Sequence, residues 1–209
     1  MEIDSAWLVR DAESLEALYG EPMERAVRKQ MDRLDAHARA FIAASPFLAL
    51  ATQSPEGIAD CSPRGDAPGF VEVAGDRTLL IPDRRGNNRL DSLRNIALNP
   101  AVGLLFLIPG RTESFRVNGH AAISRDPALC ARFAVQGKEP RTVIVVTVRE
   151  VYIHCAKALI RSDLWNPAKF AGLDTIPSFG SFLEAHTGGF VEAKAVDEDL
   201  KVRMPSILY

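Results

Sequence analysis

The chain has 209 residues, 47% hydrophobic and 25% charged, with a formal net charge of −2, the composition of a globular protein with one well-filled core. Balanced charge and few aromatic residues argue against a nucleic-acid or membrane-surface protein, and no run of eighteen apolar residues predicts a spanning helix. Met1–Arg10 carries Glu2 and Asp4 and lacks the apolar centre of a secretory signal, so a cytoplasmic protein is expected. Cys61, Cys130 and Cys155 show no CxxC spacing and read as small buried apolar residues, with neither a disulfide framework nor a metal site expected.

The first forty-five residues read as helical. Asp11 and Ser14 precede Leu15 and Leu18, and Gly20 stops that turn. Val27, Met31, Leu34, Ala38 and Phe41 then recur every three to four residues, predicting one long helix from Glu24 to Ala44 that Ser45-Pro46 ends. Strands are expected over Phe47–Thr52, Ile58–Ser62, Phe70–Val73, Thr78–Ile81, Ala101–Ile108, Ser114–Ser124 and Thr142–Val148, the last continuing through Val151 to His154. Helices interrupt the series at Asn88–Leu98 and Pro127–Val135. The tail after Trp165 reads as a loop with short helices at Phe179–Ala185 and Ala193–Arg203. Strands with few helices among them, and no βαβ alternation, favour a mainly β, antiparallel barrel with flanking helices. A single domain over 1–209 is expected, with a helical extension at 1–45 and a helical and loop tail at 166–209.

Two polar segments interrupt the apolar strands: Ser62-Pro63-Arg64-Gly65-Asp66, and Pro82-Asp83-Arg84-Arg85-Gly86-Asn87-Asn88-Arg89. Glycine permits close backbone approach, and arginine offers a planar fork to phosphate oxygens. A helix starting near Asn88 would add free N–H groups. The two segments read either as one phosphate site or as solvated turns with a helix cap. A third cluster, Lys157, Arg161 and Trp165, reads as a cationic face beside an aromatic plate, or as a surface helix with its tryptophan packed inward. The histidines at 37, 120, 154 and 186 are scattered and read as structural, and no GxSxG, Walker A or GxGxxG pattern occurs.

The order FLALAT, DCSPRGD, LLIPDRRGNNRLDSLRNIALNPAVGLLFLIPG, RVNGHAAI, with CAKALIRSDLW beyond it, resembles the FMN-binding split-barrel superfamily. More narrowly it resembles the pyridoxamine 5′-phosphate oxidase-like flavoproteins over about residues 40 to 167. The resemblance implies a split barrel, a homodimer with FMN at its interface, and flavin-dependent oxidoreductase chemistry on a small molecule or with a nicotinamide donor. It implicates Ser62, Arg64, Gly65 and Asp66 from the first segment. From the second it implicates Ile81, Pro82, Asp83, Asn87, Asn88 and Arg89, with Arg84 and Arg85 as further members. Lys157, Arg161 and Trp165 would lie on the open side of the flavin or reach the partner subunit's site. Asn87-Asn88-Arg89 stands where the oxidases carry a Ser-Arg-Lys-like run, and Ser178–Tyr209 lacks their Trp- and Arg-bearing ending. Pyridoxamine phosphate itself is therefore not the expected substrate. The alternative is a protein that stores or senses flavin, deazaflavin or haem, with His120 or His154 as the axial ligand in the last case.

Overall fold

The computed structural model describes residues 1–170, 172 and 175–209. After a 3-10 turn at Ser5–Trp7 come α1 (Ala12–Tyr19), α2 (Glu24–Arg28) and α3 (Ala36–Ala44). The body follows: β1 (Phe47–Gln53), β2 (Ala59–Gly65), β3 (Glu72–Gly75), β4 (Thr78–Pro82), α4 (Asp91–Leu98), β5 (Ala101–Leu107), β6 (Ser114–Ser124), α5 (Pro127–Arg132) and β7 (Val143–His154). The tail holds α6 (Lys157–Ser162), a 3-10 turn at Pro167–Lys169, α7 (Phe179–His186) and α8 (Ala193–Ile207). The loop expected after Trp165 includes Ala171, Leu173 and Asp174, which lie outside the described residues. No helix among the described residues is long and apolar enough to cross a membrane.

All seven strands form one antiparallel sheet in the order β2-β1-β5-β6-β7-β4-β3. The expected class, mainly β and antiparallel with flanking helices, is the one observed. The sheet is not closed: β2 and β3 remain its edges. Period-two alternation sends Leu48 and Leu50 of β1, Val102, Leu104 and Phe106 of β5, and Val117 of β6 into one core. Ile144, Val146 and Val148 of β7 and Leu79 and Ile81 of β4 join them, beneath Ala38 and Ile42 of α3 and Ile96 of α4. On the opposite face, Leu80 and Val143 pack with Cys130 and Phe133 of the α5 region. Buried on both faces, β4 and the start of β7 read as continuous apolar runs.

The paired strands β6 and β7 carry a bulge. Asn118 pairs with Glu150, but Gly119 pairs with Val148, leaving Arg149 as the extra residue. Gly119 is the residue that permits it, because a Cβ there would lie 2.3 Å from the Thr147 carbonyl oxygen.

The long helix expected from Glu24 to Ala44 is two helices. Met31 exchanges both backbone hydrogen bonds with Val151, at 3.0 and 2.8 Å, and the Leu34 N–H donates to the Asp76 carbonyl at 2.7 Å. These bonds pull the chain out of helical geometry. Asp35 then restarts the helix by accepting from the Ala38 N–H at 2.8 Å. Of the cysteines only Cys130 is buried; Cys61 and Cys155 are exposed, Cys61 because it points outward from β2.

Candidate functional site

The first polar segment is not a loop. Ser62 to Gly65 complete strand β2, which pairs with β1 as far as Gly65 opposite Phe47. Pro63 is tolerated because β2 is an edge strand. Alternation along β2 puts Asp60, Ser62 and Arg64 on the half-buried face. The second segment leaves β4 at Pro82 and turns through Asn88 and Leu90, both with φ of +60°. The helix expected from Asn88 therefore begins at Asp91, with Leu90 in its capping position and no side-chain cap.

The segments meet in a cleft of about 1310 Å³. Its walls include Ser62, Arg64 and Gly65 from β2, and Pro82, Asp83 and the run from Arg84 to Arg89. Arg64 donates to Asp83 at 2.5 Å, with each side chain 18% exposed. Arg84 donates to Asp66 at 2.6 Å and to the Phe133 carbonyl at 2.6 Å. Arg89 pairs with Asp91 at the exposed rim. Ile81 is fully buried beneath the cleft in the main core and contributes no wall. Asp66 stands behind Arg84 rather than in the lining.

A shared hydroxyl network fixes α4 against β2 and β1. The Ser92 hydroxyl lies 2.8 Å from Asp60 Oδ2 and 3.0 Å from Ser62 Oγ, Thr52 donates to the same carboxylate oxygen at 3.2 Å, and Asn95 donates to Thr52 at 3.0 Å. Ser92 and Thr52 are buried. Ser92→Ala strips a donor from a half-buried carboxylate and is expected to cost about 1–2 kcal/mol of stability, measured by urea unfolding.

Three parts of the site were not anticipated from the sequence. The segment before β7 contributes Lys138, Arg141 and Thr142 to the lining, beside Asp83, whose N–H donates to the Thr142 carbonyl at 3.0 Å; α4 contributes Ser92, and Tyr209 joins them from beyond α8. Burial raises the Asp66 carboxyl, but hydrogen bonds from the Tyr209 hydroxyl, the Ala67 N–H and Arg84 outweigh it and hold the group below the usual carboxylate range. The same hydrogen bond to Asp66, with desolvation, pushes the Tyr209 phenol up.

The cleft has unused binding capacity for an anion. Among the described residues, Arg64 Nε and Thr142 Oγ1 are buried without a hydrogen-bond partner. A buried donor in that state costs free energy until something accepts from it. Arg85 and Arg141 line the same cleft, exposed and without an ion pair among the described residues.

Lys157, Arg161 and Trp165 are not brought to this cleft. Lys157 and Arg161 are exposed on α6, and the Trp165 indole donates to the Arg111 carbonyl at 2.7 Å. His120 is exposed on β6, and His154 on β7 lies beside Tyr152 with ring centroids 5.0 Å apart and planes tilted by 55°. Burial, with Arg116 and Lys29 nearby, pushes the His154 pKa down. Neither histidine lines the cleft.

The family model for pyridoxamine 5′-phosphate oxidase matches residues 34–155, more than half of the chain and all seven strands. The chain belongs to the pyridoxamine 5′-phosphate oxidase family. Both walls contributed by β2 and by the segment after β4 fall within the matched part, as does the Lys138–Thr142 segment; Tyr209 falls outside it. No curated protein matches the chain. Among solved structures it is similar to a point variant of HupZ from Group A Streptococcus, at 17% identity over 58% of this chain and 99% of that one, TM-score 0.47. It is also similar to an FMN-binding protein from Syntrophomonas wolfei, at 16% identity over 68% and 96%, TM-score 0.45. HutZ, the haem storage protein of Vibrio cholerae, aligns at 14% identity over 58% and 94%, TM-score 0.41.

Proposed function

We propose that this oxidase-family chain binds FMN in the cleft and acts as an FMN-dependent oxidoreductase. The observation that carries the reading is the unused polar capacity of the cleft: among the described residues, a guanidinium nitrogen of Arg64 and the Thr142 hydroxyl are buried without partners, beside Arg85 and Arg141 without an ion pair. A phosphate monoester supplies the acceptor oxygens and the negative charge that such a set lacks. Arg64, with Arg85, Arg89 and Arg141 as the other cations, is the candidate phosphate holder. Asp83 pairs with Arg64 at the cleft wall, and Gly65, Pro82, Asn87 and Asn88, which line the same cleft, would meet the flavin ring. Bound FMN would supply hydride or electron chemistry, while the protein positions it and tunes its electrostatics.

A homodimer accompanies this proposal. On the outward face of the sheet, Cys61, Ala51 and Gly103 lie side by side in register, then Pro63, Ala49 and Leu105, then Gly65, Phe47 and Leu107. This is a small-residue and apolar patch of the kind that marks an association surface. Pro63 and Gly65 belong both to the patch and to the cleft wall, so a second subunit on the patch would border the ligand.

The visible spectrum tests the reading. The purified protein is expected to be yellow, or to bind added FMN with quenching of its fluorescence, and a substrate screen should then reveal turnover. A colourless protein that ignores FMN in titration overturns it.

A further inference from the structure

α8 ends at Ile207, and two residues later Tyr209 lines the cleft. The Tyr209 hydroxyl donates to Asp66 at 2.6 Å, and its ring lies 5.5 Å from the Arg84 guanidinium. Lys138 donates to the Tyr209 carbonyl at 2.8 Å. The three partners come from three separate places: the end of β2, the segment after β4 and the segment before β7. Arg84 is itself fixed on its other side by Asp66 and by the Phe133 carbonyl. Tyr209 is therefore held at three points: a carboxylate at its hydroxyl, a cation facing its ring and a lysine at its main-chain oxygen. The Asp66 carboxylate it engages is 4% exposed.

We propose that Tyr209 is a positioning residue of the cleft: its ring walls in the bound flavin and sets how fast the ligand escapes. This rests on the flavin reading for the identity of the ligand, and on the contacts above for the clasp itself. The geometry divides the work between two parts of the side chain. The hydroxyl anchors to Asp66, and the ring covers Arg84 and excludes water from the ion pair behind it, which strengthens that pair. Truncating the ring removes both; removing the hydroxyl alone leaves the ring against the guanidinium.

The test compares the parent with Tyr209→Phe and Tyr209→Ala by stopped-flow FMN fluorescence, beside a thermal melt. Tyr209→Ala should release FMN at least about tenfold faster, Tyr209→Phe should fall between it and the parent, and both variants should melt only a few degrees below the parent, the cost of the one lost hydrogen bond to Asp66. Release from Tyr209→Ala within about twofold of the parent overturns the proposal, as does a rate gain that comes with a larger fall in melting temperature. A second readout needs no ligand, because the Ala67 N–H donates to the Asp66 carboxylate that Tyr209 also holds. Its hydrogen exchange should rise by about tenfold in ligand-free Tyr209→Ala. If the parent ignores FMN, the flavin reading fails, and the exchange rate alone decides the clasp: faster exchange upholds it and unchanged exchange overturns it.

Discussion

Replacing Arg64 by alanine should weaken FMN binding by about 1.5–3 kcal/mol, the loss of a charged hydrogen bond, or roughly 10- to 150-fold in Kd. It should also destabilise the ligand-free protein, because Asp83 would be left largely buried without its cation. Breaking one side of a fully buried pair costs about 3–5 kcal/mol; at 18% exposure on each side, the lower end applies. The two effects can be separated. In Arg64→Ala/Asp83→Ala the orphaned carboxylate is gone, so stability should recover while FMN affinity does not. Riboflavin, which lacks the phosphate, should bind Arg64→Ala as it binds the parent. Equal losses for riboflavin and FMN would remove Arg64 from the phosphate site. Arg89→Ala should show a similar loss of FMN affinity with little change in stability, because its pair with Asp91 is at the solvent-exposed rim.

Gly119→Ala should be the most damaging single methyl in the sheet. The added Cβ would sit 2.3 Å from the Thr147 carbonyl oxygen and 3.1 Å from its carbon, both backbone atoms of the neighbouring strand. Neither can step aside without parting β6 from β7 at the bulge. Overpacking of this kind costs about 1–3 kcal/mol and sometimes more, or about 2–4 °C of melting temperature per kcal/mol at this chain length. Gly86→Ala is the comparison, since a Cβ there meets nothing within 4 Å. Equal melting of the two variants would mean that β6 and β7 are not joined as described.

The strands were legible because each side-chain pattern answers to the face it covers. AVGLLFL and TVIVVTV announce burial directly, and both are core strands. Asp11 with Ser14, and Gly20 after them, mark the first short helix as the structure has it. Legibility failed where a distant partner decides local geometry. Nothing in the apolar spacing of Val27, Met31 and Leu34 reveals that the Met31 backbone is claimed by Val151. The run SPRG looks like a turn by composition, yet its strand character was readable in the alternation of Asp60, Ser62 and Arg64 with Ala59, Cys61 and Pro63. That same alternation would have placed Asp60 on the inward face, where it accepts from Thr52 and Ser92. The convergence of the two arginine-bearing segments was anticipated; the third wall was not. Arg141 sits beside a core strand and carries no local mark, and Tyr209 reaches Asp66 across 143 positions of sequence.

The outermost strand of the sheet has a bearing on how this protein behaves at high concentration. An unpaired strand edge is a template on which other chains can stack, and fibrils grow from such templates. Of the two edge strands, β2 and β3, the longer is β2, and it carries Pro63 near its middle. Proline offers no donor to an incoming chain, and its ring obstructs a continuous ladder. The position that shapes the rim of the cleft thus also guards the molecule against self-templating growth, and Pro63→Val should shorten the lag time of aggregation in a thioflavin assay.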